Sequence, residues 1–307
     1  MKNDQRVWTA FILLSLFWGT SFLFIKIGLR TLDPFMLVTI RLIIGWLGLM
    51  AILKWRGMSL PKGWSNWRHV IFLGIFNTAV PFTLITWAES GDSGIDSTIA
   101  AVLNSTVPLF SFIIAGIIIQ SEKITLNKVT GLMVGFFGII ILMSRGFSWE
   151  ANSLLPPLAV VAASLCYAVS SVYGKQYVSH LDPVAISAGQ LLTAELIMVV
   201  ATLFIVDFSS QALNMATVGS LLWLGLLGTC AAYILYYYIL QNWGATRTTL
   251  VTYLLPVVGV TAGVLLLNEA LEWQLVMGGL LIISGIVIVN WRPKRRPLIE
   301  AEGQGLS

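Results

Sequence analysis

The feature that most constrains this chain is a series of long apolar stretches that follow one another with short breaks. An α-helix needs about 20 mostly apolar residues to cross the ~30 Å hydrocarbon layer of a membrane. Backbone groups inside lipid must be paired within the protein, and the strand-length alternation of a membrane barrel is missing. The sequence therefore predicts an all-α membrane protein with ten transmembrane helices, at 7–29, 34–54, 69–88, 95–120, 126–144, 155–178, 184–206, 217–241, 246–267 and 274–291.

Composition supports this class of protein. Hydrophobic residues make up 57% of the 307 residues and charged residues 10%, whereas soluble domains carry about 25% charged residues. A soluble enzyme, a disordered chain and a secreted disulfide scaffold are excluded on these grounds. Cys166 and Cys230 lie inside apolar runs without metal-binding or redox spacing, so we expect neither a disulfide nor a metal site. The first apolar run is too long for a signal peptide, and we expect it to be retained.

The placement of basic residues predicts the orientation. With ten spans and a cytoplasmic N-terminus, 14 of the 18 Lys and Arg residues fall in cytoplasmic segments. Arg30 and Arg145 fall in outer loops, and Lys26 and Arg41 fall within helices. This bias follows the positive-inside rule. We therefore expect both chain ends in the cytoplasm, including the basic and then polar tail 292–307, and we expect lipid headgroups rather than nucleic acid to meet the net charge of +4.

The two halves of the chain resemble each other when the sequence is shifted by 149 residues. The triplet Leu32-Asp33-Pro34 then meets Leu181-Asp182-Pro183, and Lys26 meets Lys175. Near the end of each half the offset becomes 147, which pairs Gly131 with Gly278 and Gly138 with Gly285. Five helices per half is an odd number, so the second half enters the membrane inverted. Inverted repeats are typical of secondary transporters, in which one central site opens to either side in turn.

The chain resembles the EamA-domain branch of the drug/metabolite transporter superfamily. The resemblance rests on weak motifs spread over nearly the whole chain, and the first half carries Trp18-Gly19 through Lys26, Pro34, Arg41, Pro108, Glu122 and Gly131. The second half repeats the pattern with Pro183, Pro256, Glu269 and Gly278. The halves differ where Tyr167 stands in place of Trp18 and Gln190 in place of Arg41.

The resemblance implies two EamA repeats, at 7–144 and 155–291, in a bacterial inner-membrane protein that most often exports metabolites. No cofactor is expected. A small solute and the lipid bilayer are the expected partners, and a monomer or a homodimer fits the glycine pairs that allow close helix contacts.

Aromatic and hydroxyl side chains near mid-membrane depth predict a cavity for a small amphipathic solute. The candidate substrate-binding residues are Trp18, Ser21, Thr78, Phe82, Trp87, Asn104, Tyr167, Ser171, Tyr233, Tyr237 and Tyr253. Asn104 and Tyr253 lie three or four residues before helix prolines, and for both of them a site role and simple packing remain open. Tyr237 lies near enough to the inner end of its helix to belong to an aromatic belt instead, whereas Tyr233 lies deeper and is expected at the cavity. The candidate hinges, where a proline interrupts the helix, are Pro81, Pro108 and Pro256.

Ionisable residues inside spans are costly and are therefore candidates for function. Arg41 could snorkel outward, bind a loop carbonyl or face the cavity. Glu195 could couple transport to protons, or be a neutral acid bonded to a neighbouring helix. Glu89, Asp92 and Asp96 surround the predicted outer turn between the third and fourth spans, and we expect them to be solvated.

Apart from helix-end lysines, the cavity is expected to carry no Lys or Arg. This favours a neutral, zwitterionic or weakly cationic solute over a sugar phosphate, with amino acids first. A nucleobase, nucleoside, quaternary amine or drug remains an alternative. A channel or an intramembrane enzyme is a more distant one, because the motifs of hydrolases, metalloproteases and nucleotide-binding enzymes are missing from the sequence.

Overall fold

In the computed structural model, the residues described are 2–91, 94–118, 120, 123–144, 154–267 and 273–291. They form an all-helical bundle, and no β-strand occurs among them. The first five helices are α1 (Lys2–Gly28), α2 (Pro34–Trp55), α3 (Trp64–Ala88), α4 (Ser97–Asn104, Val107–Phe112 and Ile113–Ile118) and α5 (Leu126–Met143). The second five are α6 (Leu155–Tyr177), α7 (Pro183–Ile205), α8 (Met215–Trp243), α9 (Ala245–Thr249 and Val251–Leu267) and α10 (Trp273–Asn290). A short 3₁₀ turn, Phe208–Ser210, separates α7 from α8.

Seven of these helices are long and apolar enough to cross a membrane by length and composition: α1, α2, α3, α4, α6, α7 and α8. The apolar parts of α5 and α10, Leu126–Ile141 and Val276–Asn290, are shorter. The α9 helix is interrupted at Leu250. The multi-pass all-helical class is confirmed, while the count of ten spans stays a prediction. Glu122, Glu269, Asp92, Arg145 and the tail 292–307 lie outside the described residues.

The repeated Leu-Asp-Pro triplet builds the same helix start twice. The Asp33 carboxylate accepts a hydrogen bond from the Phe35 backbone N–H at 2.8 Å, and Asp182 accepts one from Val184 at 2.8 Å. The following proline has no N–H to leave unsatisfied in the first helical turn. The triplet therefore fixes where α2 and α7 begin.

The α3 and α8 helices, which correspond in the two halves, each contain a π-helical segment. These segments are Ile75–Ala79 in α3 and Trp223–Ala231 in α8. A π segment widens the helix by one residue per turn, so its carbonyls are free to accept bonds from other helices. Both segments face the middle of the bundle, because Asn77 and Thr229 within them are buried.

Contacts between helices recur in pairs that follow the sequence repeat. The Lys26 ammonium at the end of α1 donates to the Glu89 carbonyl at the end of α3, at 3.3 Å. The Lys175 ammonium at the end of α6 donates to the Gln241 carbonyl near the end of α8, at 2.7 Å. His69, near the start of α3, stacks on Tyr177 at the end of α6. Since α3 meets the end of α1 at one terminus and the end of α6 at the other, α1 and α6 end on opposite sides of the bundle.

The helix crossing between α5 and α10 is also paired. A Cβ on Gly131 would lie 2.7 Å from the Gly285 carbonyl oxygen, and a Cβ on Gly138 would lie 2.8 Å from the Gly278 carbonyl oxygen. The repeat relates Gly131 to Gly278 and Gly138 to Gly285, so each contact maps onto the other. Glycine is required here because only bare backbones approach this closely.

Candidate functional site

A cavity of about 60 Å³ lies at the centre of the bundle, bordered by α1, α2, α3, α4, α6, α8 and α9. This volume holds a few water molecules, so a solute of metabolite size needs some rearrangement of the walls. The predicted site residues that line it are Trp18, Ser21, Arg41, Phe82, Asn104, Tyr167 and Ser171. The wall is mostly aromatic and aliphatic with a few polar groups, as is usual for small-molecule sites.

Arg41 on α2 is the charged group of the cavity, and this corrects the expectation of a cavity without Lys or Arg. The side chain is 3% exposed. Its Nε donates to the Thr229 hydroxyl at 2.8 Å, and its Nη2 donates to the Gly228 carbonyl at 3.1 Å. The guanidinium carbon lies 4.1 Å from the centre of the Phe82 ring, a cation–π distance. The side chain therefore points inward across the bundle and does not snorkel to the surface.

The acceptors of Arg41 exist because α8 is π-helical at this point. The Thr229 hydroxyl donates to the Leu224 carbonyl five residues earlier, at 2.7 Å. The Gly228 carbonyl accepts from Arg41 and also from the Trp18 indole N–H at 3.2 Å. One widened turn of α8 thus holds the arginine and the tryptophan that form one wall of the cavity.

Arg41 keeps donors for a ligand. A guanidinium has five N–H donors, and the structure uses two of them. Among the described residues no carboxylate forms an ion pair with it; its contacts are the hydroxyl, the carbonyl and the ring. A buried cation that lacks a counter-charge is costly. The site is therefore electrostatically suited to an anionic group.

Asn77 in the π segment of α3 adds a second donor to the cavity. Its side chain is buried and lines the cavity, and its amide nitrogen has no hydrogen-bond partner among the described residues. A buried amide N–H without a partner costs about 1–3 kcal/mol. Arg41 and Asn77 are therefore the two groups of the wall that a ligand would satisfy.

Thr78, Tyr233 and Tyr237 lie behind the cavity wall and do not line it. The Tyr233 hydroxyl donates to the Asn77 carbonyl at 2.6 Å and lies 2.9 Å from the Thr78 hydroxyl. Tyr237 donates to the Gln190 amide oxygen, whose amide nitrogen donates to Thr78 at 2.6 Å. This network holds the π segment of α3 in place, so these side chains support the site through packing.

Three other candidates lie away from the cavity. Trp87 is 41% exposed on the outside of α3. The Tyr253 hydroxyl donates to the Leu132 carbonyl on α5 at 3.0 Å, so its ring packs between helices. Glu195 is half-buried on α7, and one of its carboxylate oxygens has no partner among the described residues. The structure does not bring any of the three to the cavity.

The three candidate hinge prolines occupy different settings. Pro81 follows the π segment of α3, and Pro108 follows the break in α4 at 105–106. Pro256 lies inside the continuous helix Val251–Leu267. Pro81 and Pro108 thus adjoin irregular backbone, whereas Pro256 does not.

Several lining residues were not among the candidates. The cavity also contacts Phe22, Ile25, Asn77, Ile85, Val107, Tyr236, Thr248, Thr249, Thr252 and Leu255. The cluster of threonines at the start of α9, with Thr248 and Thr252 one helical turn apart, is a signal that the sequence contains. The apolar members give no such signal, because they look like any other membrane-helix residue.

Glu89, expected to be solvated, is 1% exposed at the end of α3. One carboxylate oxygen accepts from the Ser97 hydroxyl at 2.6 Å, and the other has no partner among the described residues. Burial raises the pKa of this carboxyl from 4.5 to about 8. The expectation was wrong because the turn folds back so that the start of α4 covers the end of α3.

The fold and the cavity define a multi-pass membrane protein with a central polar pocket. The model of the EamA-like transporter family matches residues 7–144 and 154–291, and the chain therefore belongs to this family. One solved crystal structure, whose description states no function, aligns with a TM-score of 0.75 at 19% identity, covering 92% of this chain and 96% of that chain. That likeness shows the fold alone.

Curated relatives span the same length. An uncharacterized transporter of Archaeoglobus fulgidus is 28% identical over 93% of this chain and 99% of its own. The uncharacterized inner membrane transporter YedA of Escherichia coli K12 is 28% identical over 92% of this chain and 89% of its own. A probable amino-acid metabolite efflux pump of the same organism is 24% identical over 92% of this chain and 95% of its own.

Proposed function

We propose that this protein is a secondary transporter that exports a small carboxylate-bearing metabolite, an amino acid in the first place, by alternating access. The observation that carries the proposal is Arg41, a buried cation at the cavity whose contacts leave donors free. A carboxylate accepts two parallel hydrogen bonds from a guanidinium, which makes Arg the preferred residue for this group. Membership of the EamA-like transporter family supports transport as the activity.

The rest of the wall supports an amphipathic solute. The aromatic rings of Trp18, Phe82 and Tyr167 give an apolar surface beside the guanidinium. The Asn77 amide adds a neutral donor. A zwitterion of modest size brings one negative charge and an apolar part to this wall. The earlier option of a weakly cationic solute loses support, because a quaternary amine would be repelled by Arg41.

Alternating access is supported by contacts that follow the sequence repeat, some made alike within each half and one made between the halves. The bonds of Lys26 and Lys175 and the glycine crossing of α5 with α10 follow the sequence repeat. Two halves built alike and inserted in opposite directions can exchange conformations, which opens the cavity to each side in turn. We place the protein in the bacterial inner membrane, which the name of the relative YedA supports. The distribution of basic residues supports a cytoplasmic location for both chain ends.

A thermal-shift screen of matched ligands tests the carboxylate proposal. Each amino acid is compared with its amide, which has the same side chain and ammonium but no carboxylate. A ligand that binds the folded protein raises its melting temperature. We expect shifts for amino acids and none for their amides. Equal shifts for acid and amide, or a preference for quaternary amines or sugar phosphates, would contradict the proposal.

A further inference from the structure

The Glu89 carboxyl lies at the predicted outer end of the bundle, above the cavity. Ile85, one helical turn earlier on α3, lines the cavity, as do Phe22 and Ile25 on α1. Glu89 is buried, and its Oε1 has no partner among the described residues. Glu89 itself does not line the cavity, so the proposed solute site does not account for this buried carboxyl.

Three helices meet at this carboxyl through one hydroxyl. Ser97, at the start of α4, lies 2.6 Å from Glu89 Oε2 and 3.3 Å from the Phe22 carbonyl oxygen on α1. A serine hydroxyl has one proton to donate. It therefore cannot satisfy both the carboxylate and the carbonyl at the same time.

Protonation of Glu89 resolves this conflict. The carboxylic acid donates its O–H to Ser97, and Ser97 then donates its own proton to the Phe22 carbonyl. A continuous chain from α3 through α4 to α1 results, in which each proton has an acceptor. When the carboxyl is ionised, the Ser97 proton turns to the negative charge, the Phe22 carbonyl loses its donor, and the second carboxylate oxygen requires water.

We propose that Glu89 is a proton-binding site that holds the predicted outer end of the bundle closed when it is protonated and lets water in when it is ionised. The proton passes between this carboxyl and the outer water, so no other reactant is needed. The inference concerns the coupling ion and goes beyond the proposed solute. It also moves the proton site from Glu195, which lies away from the cavity, to the end of α3.

The charges around Glu89 leave it able to take up a proton. Lys26 on α1 favours the ionised form, and Asp96 ahead of α4 disfavours it. The α2 and α6 helices pack against this part of α3. On α2, Arg41 lies deeper, over Phe82, and on α6 the one charged residue, Lys175, is bonded to Gln241 at the opposite end. Burial outweighs both the hydrogen bond from Ser97 and the charge of Lys26, and it raises the pKa of Glu89 to about 8.

A reporter cysteine measures whether the outer end opens. Ser21→Cys is placed in the full chain with Cys166→Ala and Cys230→Ala, because Ser21 lines the cavity. The rate of labelling by a charged, water-soluble thiol reagent is measured from about pH 6 to about pH 10, with and without Glu89→Gln. The Gln variant imitates the protonated carboxyl and corrects for ionisation of the reporter itself.

The measured quantity is the ratio of the labelling rate with Glu89 to the rate with Glu89→Gln at the same pH. We expect this ratio to rise about tenfold as the pH passes through the pKa of the carboxyl. Asp96→Asn removes a neighbouring charge that disfavours ionisation of Glu89, so this variant should keep the rise in labelling but move it to lower pH. Identical pH profiles with and without Glu89→Gln would overturn the proposal.

Infrared spectroscopy of the unmodified chain provides a second measurement. A protonated carboxyl band should persist at neutral pH and lose half of its intensity near pH 8, and Glu89→Asp should shift it. A chain whose carboxyls are all ionised at about pH 6 would overturn the proton site. Neither measurement involves a solute, so failure here leaves the carboxylate proposal standing, and failure of that proposal leaves this one standing.

Discussion

Arg41 and Gln190 occupy equivalent positions in the two halves of the chain, and each donates to a threonine in the π segment of the other half. The Arg41 Nε bonds the Thr229 hydroxyl at 2.8 Å, and the Gln190 Nε2 bonds the Thr78 hydroxyl at 2.6 Å. Both polar atoms of the Gln190 amide have a partner, since its oxygen accepts from Tyr237. Arg41 makes the same bond with a longer, charged side chain that retains donors. The two halves thus share a structural bond, and one of them adds a charge at the cavity.

This relationship predicts that Arg41→Gln separates folding from solute binding. The second half shows that glutamine can hold the equivalent bond, so the melting temperature without ligand should change little. Loss of a charge-assisted bond of about 1.5–3 kcal/mol should weaken amino-acid binding by about ten- to a hundredfold. Titration of the purified variant with the amino acid that gives the largest thermal shift measures the loss. Parent-like affinity would remove Arg41 from the site.

Gly131→Ala should destabilise the α5–α10 crossing, whereas Gly279→Ala on α10 should not. The new Cβ on residue 131 would meet the Gly285 carbonyl oxygen at 2.7 Å, while no atom lies within 4 Å of a Cβ on residue 279. Overpacking of this kind costs about 1–3 kcal/mol. Thermal unfolding in detergent should therefore show a lower melting temperature for Gly131→Ala alone. Equal melting temperatures for the two variants would mean that the backbones of α5 and α10 lie too far apart for the new methyl group to clash.

Tyr233→Phe should lower stability through the π segment of α3. The lost hydroxyl leaves the Asn77 carbonyl without its 2.6 Å donor, which costs about 1–3 kcal/mol for a buried group. Tyr177→Phe, at a ring that is 40% exposed, is the matched control and should melt like the parent. Transport by Tyr233→Phe should fall along with its stability. Full stability with lost transport would instead mean that the hydroxyl contacts the solute directly.

The buried carboxyl of Glu89 predicts how stability depends on pH. Between its ordinary pKa of 4.5 and its folded pKa of about 8, the folded protein holds a proton that the unfolded chain has released. Stability should therefore fall as the pH rises through this range and level off above it, by up to about 1.4 kcal/mol per pH unit from this group. Melting curves of the parent and of Glu89→Gln should diverge with rising pH until about pH 8. Parallel curves would mean that Glu89 is already ionised in the folded protein.

Local signals made much of this structure predictable. The predicted spans that begin at residues 34 and 184 agree within one residue with α2 and α7, whose starts are set by an aspartate cap and a proline that act within one turn. Membership of the family was predicted from motifs spread along the chain and is confirmed by the match to both halves. Seven of the candidate site residues line one cavity, since polar side chains within apolar spans have few other places to go.

Features that depend on contacts between distant residues were not predictable. Arg41 faces the cavity because its acceptors are 187 and 188 residues away, on a helix whose π segment has no sequence signature. Glu89 lies in a polar stretch of sequence, which predicts a solvated side chain. It is buried because the start of α4 packs against it through Ser97. Trp87 is an aromatic residue of the kind that lines small-molecule sites. It faces outward because of the way α3 is rotated in the bundle, and the sequence does not reveal that rotation.

The most direct test of the account is solute counterflow in liposomes that contain the purified chain. Liposomes are filled with unlabelled amino acid, and the entry of the labelled amino acid is followed for the parent and for Arg41→Gln. A carrier with one alternating site should take up label in a saturable way, faster when amino acid is present inside, and Arg41→Gln should lose this uptake. Uptake that does not saturate, that ignores the internal amino acid, or that is unchanged in Arg41→Gln would contradict the account.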